Sequence, residues 1–289
     1  MLGFAAGGGT DVIARHLAQK TQERLGANLY VDNKPGANGN IAAETVIKSP
    51  NDGYTLLYNT SSLVLNTALG QRLPFHFQRD LVPVALTANS PLVLVASPSA
   101  DVADYDQFIR KARTAPGKLT FGSAGEGNIT HLAALIFARE AGVKGVHVPY
   151  KSESFALTDA AGGHIDYYVG TAPGVVPFVK ERKLVALAVA SVNRLSSLPR
   201  VPTFGEVGLK TRELGSWSGI MAPAGTATVV IDKLNEAVRL ALADKELIAA
   251  FAAQNSEPKG GSPDDYRRFL SAELQKWGDV VRAENIKVD

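Results

Sequence analysis

Short apolar strands and helices alternate from the first residues of this chain, and that alternation restricts its fold more than any other feature. Asp11 to Leu25 carries Ile13, Ala14, Leu17, Ala18 and Leu25 near helical spacing and is closed by Gly26. Leu29-Tyr30-Val31 reads as a short strand, Ile41 to Lys48 as a helix stopped by Ser49-Pro50, and Tyr54 to Tyr58 as a buried strand. Such βα units bury their apolar faces by laying helices over a mainly parallel sheet, so an α/β fold is expected.

The pattern restarts further along. Val82 to Ala88 and Leu92 to Ala96 read as two strands, and after Pro98 a helix follows over Tyr105 to Thr114. Leu119 to Gly122, Val146 to Tyr150, Ile165 to Val169 and Ala186 to Ala190 read as strands. Helices are expected over Ile129 to Ala141 and Phe155 to Ala161, then over Val229–Ala241, Lys245–Gln254 and Asp264–Glu284. The helical tail has no sheet of its own and must pack back on the first block. With 289 residues, two domains are expected: 1–98 with 222–289, and 99–221. Crossings near Ser97–Ala100 and Ser218–Pro223 would form a hinge.

Composition removes several functions. Lys and Arg number 30 against 28 Asp and Glu, too even a balance for a nucleic-acid groove or a polybasic membrane surface. With no cysteine there is no thiolate nucleophile, iron–sulfur cluster or Cys-bound zinc. The histidines at 16, 76, 131, 147 and 164 show no metal-binding spacing, so neither metal nor cofactor is expected. No run approaches the roughly 20 apolar residues that cross a bilayer. Met1 to Phe4 supplies only a stub before the first glycine-rich loop, so the chain is expected to begin inside its first strand, an export leader having been removed.

Two loops share one design. Phe4-Ala5-Ala6-Gly7-Gly8-Gly9-Thr10-Asp11 and Gly122-Ser123-Ala124-Gly125-Glu126-Gly127-Asn128-Ile129-Thr130 each join a strand to a helix. Glycine lets the backbone turn tightly and aim several N–H groups at one point, and the helix start adds partial positive charge. Such a pair can bind an anion without Arg or Lys, at the strand ends where α/β proteins place ligands. Each loop alone reads equally well as a tight turn with ordinary caps, Thr10 or Asp11 and Asn128 or Thr130. Neither has a nucleotide-binding spacing. Gly215-Ser216-Trp217-Ser218-Gly219 lacks the central serine of a hydrolase elbow, and Ser123 with His131 has no triad spacing. His131 reads as a cap or packing residue. Asn59-Thr60-Ser61-Ser62 could face the same cleft, Tyr150 and Trp217 could stack on a ligand, and Lys151 with Glu153 reads as a solvated loop.

Several stretches together resemble the periplasmic solute-binding receptors of tripartite tricarboxylate transporters, the Bug-type proteins. They are Gly3 to Asp11, Asn33-Lys34-Pro35-Gly36-Ala37-Asn38-Gly39-Asn40-Ile41, Asp52 to Leu57, and Gly122-Ser123-Ala124-Gly125 with His131-Leu132-Ala133. His147 to Lys151, Leu198 to Thr203, and Trp217-Ser218-Gly219 with Ala222 to Thr226 complete the set, which spans nearly the whole chain. The resemblance implies a two-domain periplasmic-binding-protein-like (flytrap) fold with its ligand cleft between the domains, no catalytic residue, and a monomer that serves membrane transporter subunits. It implies a small carboxylate ligand: a dicarboxylate, tricarboxylate, acidic amino acid or aromatic acid. Carried over, Phe4, Ala5, Ala6, Gly7, Thr10 and Asp11 would meet one carboxylate from one side. Ser123, Ala124, Gly125, Asn128 and Thr130 would face it, and Thr60, Ser61, Tyr150 and Thr171 would shape the distal end.

Three positions depart from the family pattern. Ala6 stands where Pro is usual, Tyr150-Lys151-Ser152-Glu153-Ser154-Phe155 replaces Tyr-Lys-Gly with a nearby Pro, and Gly170-Thr171 stands where Asp or Asn is frequent. The last two fall where the distal part of a ligand would lie. An effector-sensing domain of a regulator would need a basic helix-turn-helix, and a cleft hydrolase or isomerase would need a paired base or a metal. The chain supplies neither. A cytosolic binder of the same ligands is the remaining alternative.

Overall fold

The computed structural model describes residues 1–211 and 214–283. The chain enters through helices α1 (Gly9–Leu25) and α2 (Asn40–Ile47), strand β1 (Leu57–Thr60), and helices α3 (Ser62–Ala68) and α4 (Phe77–Asp80). Strand β2 (Leu81–Ala96) leads to α5 (Tyr105–Thr114), β3 (Leu119–Ser123), α6 (Ile129–Ala141), β4 (Gly145–Pro149) and α7 (Glu153–Gly162). Next come β5 (Tyr167–Thr171), α8 (Ala172–Lys180), β6 (Val185–Ala190) and β7 (Gly215–Pro223). Helices α9 (Thr228–Leu242) and α10 (Lys245–Ala253), the short β8 (Glu257–Pro258) and α11 (Pro263–Ala283) close it. The expected extension of the last helix to Glu284, like residues 284–289 of the expected first domain, lies outside the described residues.

The two strands expected over residues 82–96 are one strand of 16 residues. Pro83 and Pro91 disguise it, because proline withholds an N–H from the ladder and reads as an interruption. Its first part pairs antiparallel with β7, from Leu81↔Pro223 to Pro91↔Gly215. Its second part, from Leu92, pairs antiparallel with β5 and β6 in another sheet. The chain therefore changes sheets at Pro91–Leu92, and the return strand β7 starts at Gly215. Both points come earlier than the crossings expected at Ser97–Ala100 and Ser218–Pro223.

The sheets are mixed, which corrects the mainly parallel expectation. β3 pairs in parallel with β4 and β5, as βα units require. The antiparallel ladders all involve β2 or β7, the strands that carry the chain between sheets. Leu29-Tyr30-Val31 forms no strand: Tyr30 is 86% exposed, and the local pairing is a single bridge from Leu2 to Asn33. Three helices were unforeseen: α3, the single turn α4, and α8. α3 follows β1 directly, and α8 has Pro173 in its first turn, where a missing N–H costs nothing.

The first lobe holds β1, β7, the start of β2 and the tail helices, with α9 against α1 and α11 against α3. Trp217 is buried there between Tyr266 and Phe269, at ring distances of 6.2 and 5.2 Å, and its indole N–H donates to Glu273. It is a core residue and does not reach the cleft. The second lobe centres on Phe108, Phe121, Phe137 and Tyr167, with Tyr167 within 5.8 Å of the other three rings. Each such side chain contributes roughly 1.5–3 kcal/mol by burial. None of the described helices is long and apolar enough to cross a membrane.

Candidate functional site

Four helices begin at one place. α1 and α6 start behind the two glycine-rich loops, α7 starts behind Ser152, and α8 behind Thr171. Their first residues line a narrow cleft between the lobes, with about 30 Å³ of free volume: Gly9, Thr10 and Asp11, then Ile129 and Thr130, then Glu153, then Thr171. Phe4, Ala5, Thr60, Ala124 and Asn128 complete the expected part of the lining; Gly8, Gly9, Ile129, Ser152, Glu153 and Ser216 were not foreseen. No Lys, Arg or His is among these lining residues. A larger groove, with about 170 Å³ of free volume, lies between α1 and α9, and Ala14, Leu17, Leu25, Ile220 and Leu234 give it largely apolar walls.

Much of the expected hydrogen-bonding capacity of the loops is already committed. Asp11 accepts from Gly7 N at 3.0 Å, Arg15 Nε at 2.9 Å and Asn33 Nδ2 at 2.9 Å. Burial opposes its charge, yet the bonds from Arg15, Asn33 and Gly7 hold the carboxyl below its ordinary range. Asp11 thus braces the first loop instead of presenting a free carboxylate. Across the cleft, Ala124 N donates to Thr130 Oγ1 at 2.9 Å and Gly125 N to Ser123 Oγ at 3.3 Å. The N–H groups of Thr10 and Asp11 lie in the first turn of α1, where no intrahelical acceptor exists.

Asn128 joins the lobes. Its Oδ1 caps α6 by accepting from Thr130 N at 3.0 Å, while Nδ2 donates to Asn38 Oδ1 and Ser62 Oγ, each at 3.0 Å. A second contact links α1 to α8. A Cβ on Gly9 would stand 2.7 Å from Thr171 Oγ1 and 3.0 Å from Gly174 N, so only glycine allows this approach.

Glu153 is not the solvated loop residue its sequence setting implies. It is 8% exposed, and its two oxygens accept from Thr171 N at 2.6 Å and Thr171 Oγ1 at 2.7 Å. Burial pushes its carboxyl up to about 7, against the opposing pull of Thr171 and of the Gly9 N–H from the other lobe. No local sequence signal marks it; the departure from Tyr-Lys-Gly was the available clue.

Five expected residues, Ala6, Gly7, Ser61, Ser123 and Gly125, are absent from the lining, and Tyr150 makes a sixth. Ser61 is fully buried and its hydroxyl has no partner. Tyr150 donates to Asp159 Oδ2 at 2.7 Å. Ser123 lies 2.7 Å from His147 Nε2, not beside His131, and donates to Gly125 O at 3.0 Å. His131 stacks on His147 with ring centres 3.8 Å apart and accepts from Gly127 N, the capping role expected of it. Burial and then His147 lower its pKa to about 4. Ser123 is fully buried, so this serine–histidine pair holds the second loop rather than offering a nucleophile.

The family model described as tripartite tricarboxylate transporter family receptor matches residues 13–286. The chain belongs to this family. Protein BugT of Bordetella pertussis is 36% identical to this receptor over 287 residues, covering 99% of this chain and 88% of BugT. Among solved structures, Rpa4515 of R. palustris with adipate is 32% identical with a TM-score of 0.95, covering 99% of this chain and 97% of that one. The periplasmic binding protein BugD is 26% identical with a TM-score of 0.94, covering 99% and 96%. This receptor therefore has the two-domain binding-protein fold and is a solute-binding protein, not an enzyme.

Proposed function

We propose that this receptor captures a small carboxylate in the periplasm, between its two lobes, and delivers it to the membrane subunits of a tripartite tricarboxylate-type transporter. One observation carries the reading: four helix N-termini, those of α1, α6, α7 and α8, converge on one interlobe cleft whose described lining contains no cationic side chain. Each helix start presents roughly half a positive charge, so the cleft attracts an anion through backbone dipoles alone. The ligand carboxylate would take the free N–H groups at the start of α1, with Thr10 and Thr130 beside it. Adipate in the related Rpa4515 structure supports the ligand class, and BugD supports the compartment.

Capture then follows from geometry. The lobes would bend where β2 leaves its ladder with β7, at Pro91–Leu92, and closing would bring Asn128 to Asn38 and Ser62 and Gly9 against Thr171. Hydrogen bonds to a charged group are worth about 1.5–3 kcal/mol each, so a few of them sustain micromolar binding, about −8 kcal/mol, after the cost of ordering. A thermal-shift and calorimetric screen of small mono-, di- and tricarboxylates, acidic amino acids and aromatic acids tests this, with the neutral amides as controls. One acid should raise the melting temperature while its amide does not. If no acid binds at millimolar concentration, the reading fails.

A further inference from the structure

Glu153 stands at the first position of α7, inside the cleft wall, with its carboxylate wedged against α8. A Cβ at Gly174 would come 2.7 Å from Glu153 Oε2, so the glycine clears the space this carboxylate fills. Of the two acids in the cleft, Asp11 has a cation, Arg15, at 2.9 Å; Glu153 has no cation, only the amide and hydroxyl of Thr171 and the amide of Gly9. The other titratable group of the cleft lining is Asp11 on α1, and Tyr168 on β5 lies close enough to feel the charge of Glu153; both are acids. The Tyr168 hydroxyl is itself fully buried and without a partner of good geometry.

The charges can be set against one another. Four helix starts offer roughly +2 in all. Asp11 is balanced by Arg15, and ionised Glu153 takes one unit, so about one positive charge is left for the ligand. A dicarboxylate exceeds that by one negative charge, in a closed site where water no longer screens it. An amino dicarboxylate or a zwitterion does not.

Resting on the carboxylate-receptor reading, we propose that Glu153 selects the charge of the ligand: the cleft prefers a carboxylate that also carries an ammonium group, paired with Glu153, to the same acid without it. A dicarboxylate then binds only as Glu153 takes up a proton. The raised pKa of Glu153 agrees with this, since its carboxyl is poised between the two forms near neutrality.

Isothermal titration of the full chain with matched pairs tests the proposal: aspartate and succinate, glutamate and glutarate. At about pH 8 the amino member of the bound pair should be tighter by about tenfold or more, and the preference should collapse in Glu153→Gln and in the unaltered protein at about pH 5.5. Titration of the unaltered protein with the dicarboxylate in two buffers of different ionisation enthalpy should show proton uptake, a readout that does not depend on the variant folding. A dicarboxylate that binds as tightly as its amino partner, with no proton uptake, overturns the role of Glu153 and leaves the carboxylate receptor standing. Binding of no carboxylate of either kind overturns both.

Discussion

Replacing Gly9 with alanine separates closure of the lobes from their stability. Gly9 is the first residue of α1 and has an ordinary negative φ, so alanine fits its backbone and strengthens the helix by up to about 1 kcal/mol. The added Cβ would stand 2.7 Å from Thr171 Oγ1, 2.9 Å from Pro173 Cβ and 3.0 Å from Gly174 N. None of these neighbours can step aside: Thr171 is tied to Glu153, Pro173 is a ring, and Gly174 N is backbone. The lobes must part by several tenths of an ångström. Overpacking of this kind costs about 1–3 kcal/mol, and here the cost falls on the closed form alone. Calorimetry should show ligand binding weakened roughly 5- to 150-fold, with an unliganded melting temperature equal to or above that of the parent. Unchanged affinity would mean that the α1–α8 contact is no part of the bound state. Loss of melting temperature and affinity together would mean that it is ordinary core and not a closing surface.

Asn128→Asp keeps the cap on α6 but removes both donations to Asn38 and Ser62, so binding should weaken about tenfold at nearly constant melting temperature. Asn128→Ala also loses the cap and should unfold more easily by about 1 kcal/mol. Because the folded state holds His131 neutral and the unfolded state does not, its contribution is complete above pH 6.5 and disappears as pH falls through about 4. That contribution is at most about 3 kcal/mol, and urea denaturation of His131→Gln at two pH values should show a shallower acid loss. Glu153 has the opposite sign: its raised pKa makes the folded state most favourable below 4.5, with the gain lost as pH rises through about 7. Glu153→Gln should therefore gain stability over the parent at about pH 8 and not at about pH 4. Tyr266→Phe breaks a buried 2.9 Å bond to Asn59, outside the cleft lining, and should cost about 1–3 kcal/mol in denaturant with little change in affinity.

The elements that could be read from sequence are those whose signals are local. α5 and α6 lie where the periodicity puts them, because Asp104 and Asn128 cap them and Gly142 ends the second. β2 could not be read as one strand, since what keeps it continuous is pairing with β7, distant in sequence, across two prolines. α8 was hidden by Pro173, Gly174 and Pro177, which are tolerated because the helix is short and packed on β2 and α7. The same division holds for the cleft. The glycine-rich loops announce themselves by composition, and both line it. Which of their N–H groups are already used depends on Asp11 folding back to Gly7 and Thr130 to Ala124, which composition does not encode. Glu153 is the extreme case: its partner Thr171 lies 18 residues away, and only the fold makes it a wall of the site.

The contacts that hold the lobes together explain why a ligand would decide their closure. Across the cleft they include polar and tight backbone approaches: Asn128 on Asn38 and Ser62, and Gly9 on Thr171. When the lobes part, water can replace each of these hydrogen bonds at little net cost, unlike an apolar surface, which would drive closure unaided. A pivot in this architecture falls where β2 leaves its ladder with β7, at Pro91↔Gly215, where one residue lacks an N–H and its partner lacks a Cβ. Paired strands on the first-lobe side of that point resist sliding, and bending at the crossing is what they permit. Closed and open forms of a protein built this way differ by little free energy, so the differential contacts of the ligand set the balance. On that reading the charge that Glu153 presents to the ligand enters the balance directly, through the stability of the closed form with ligand bound.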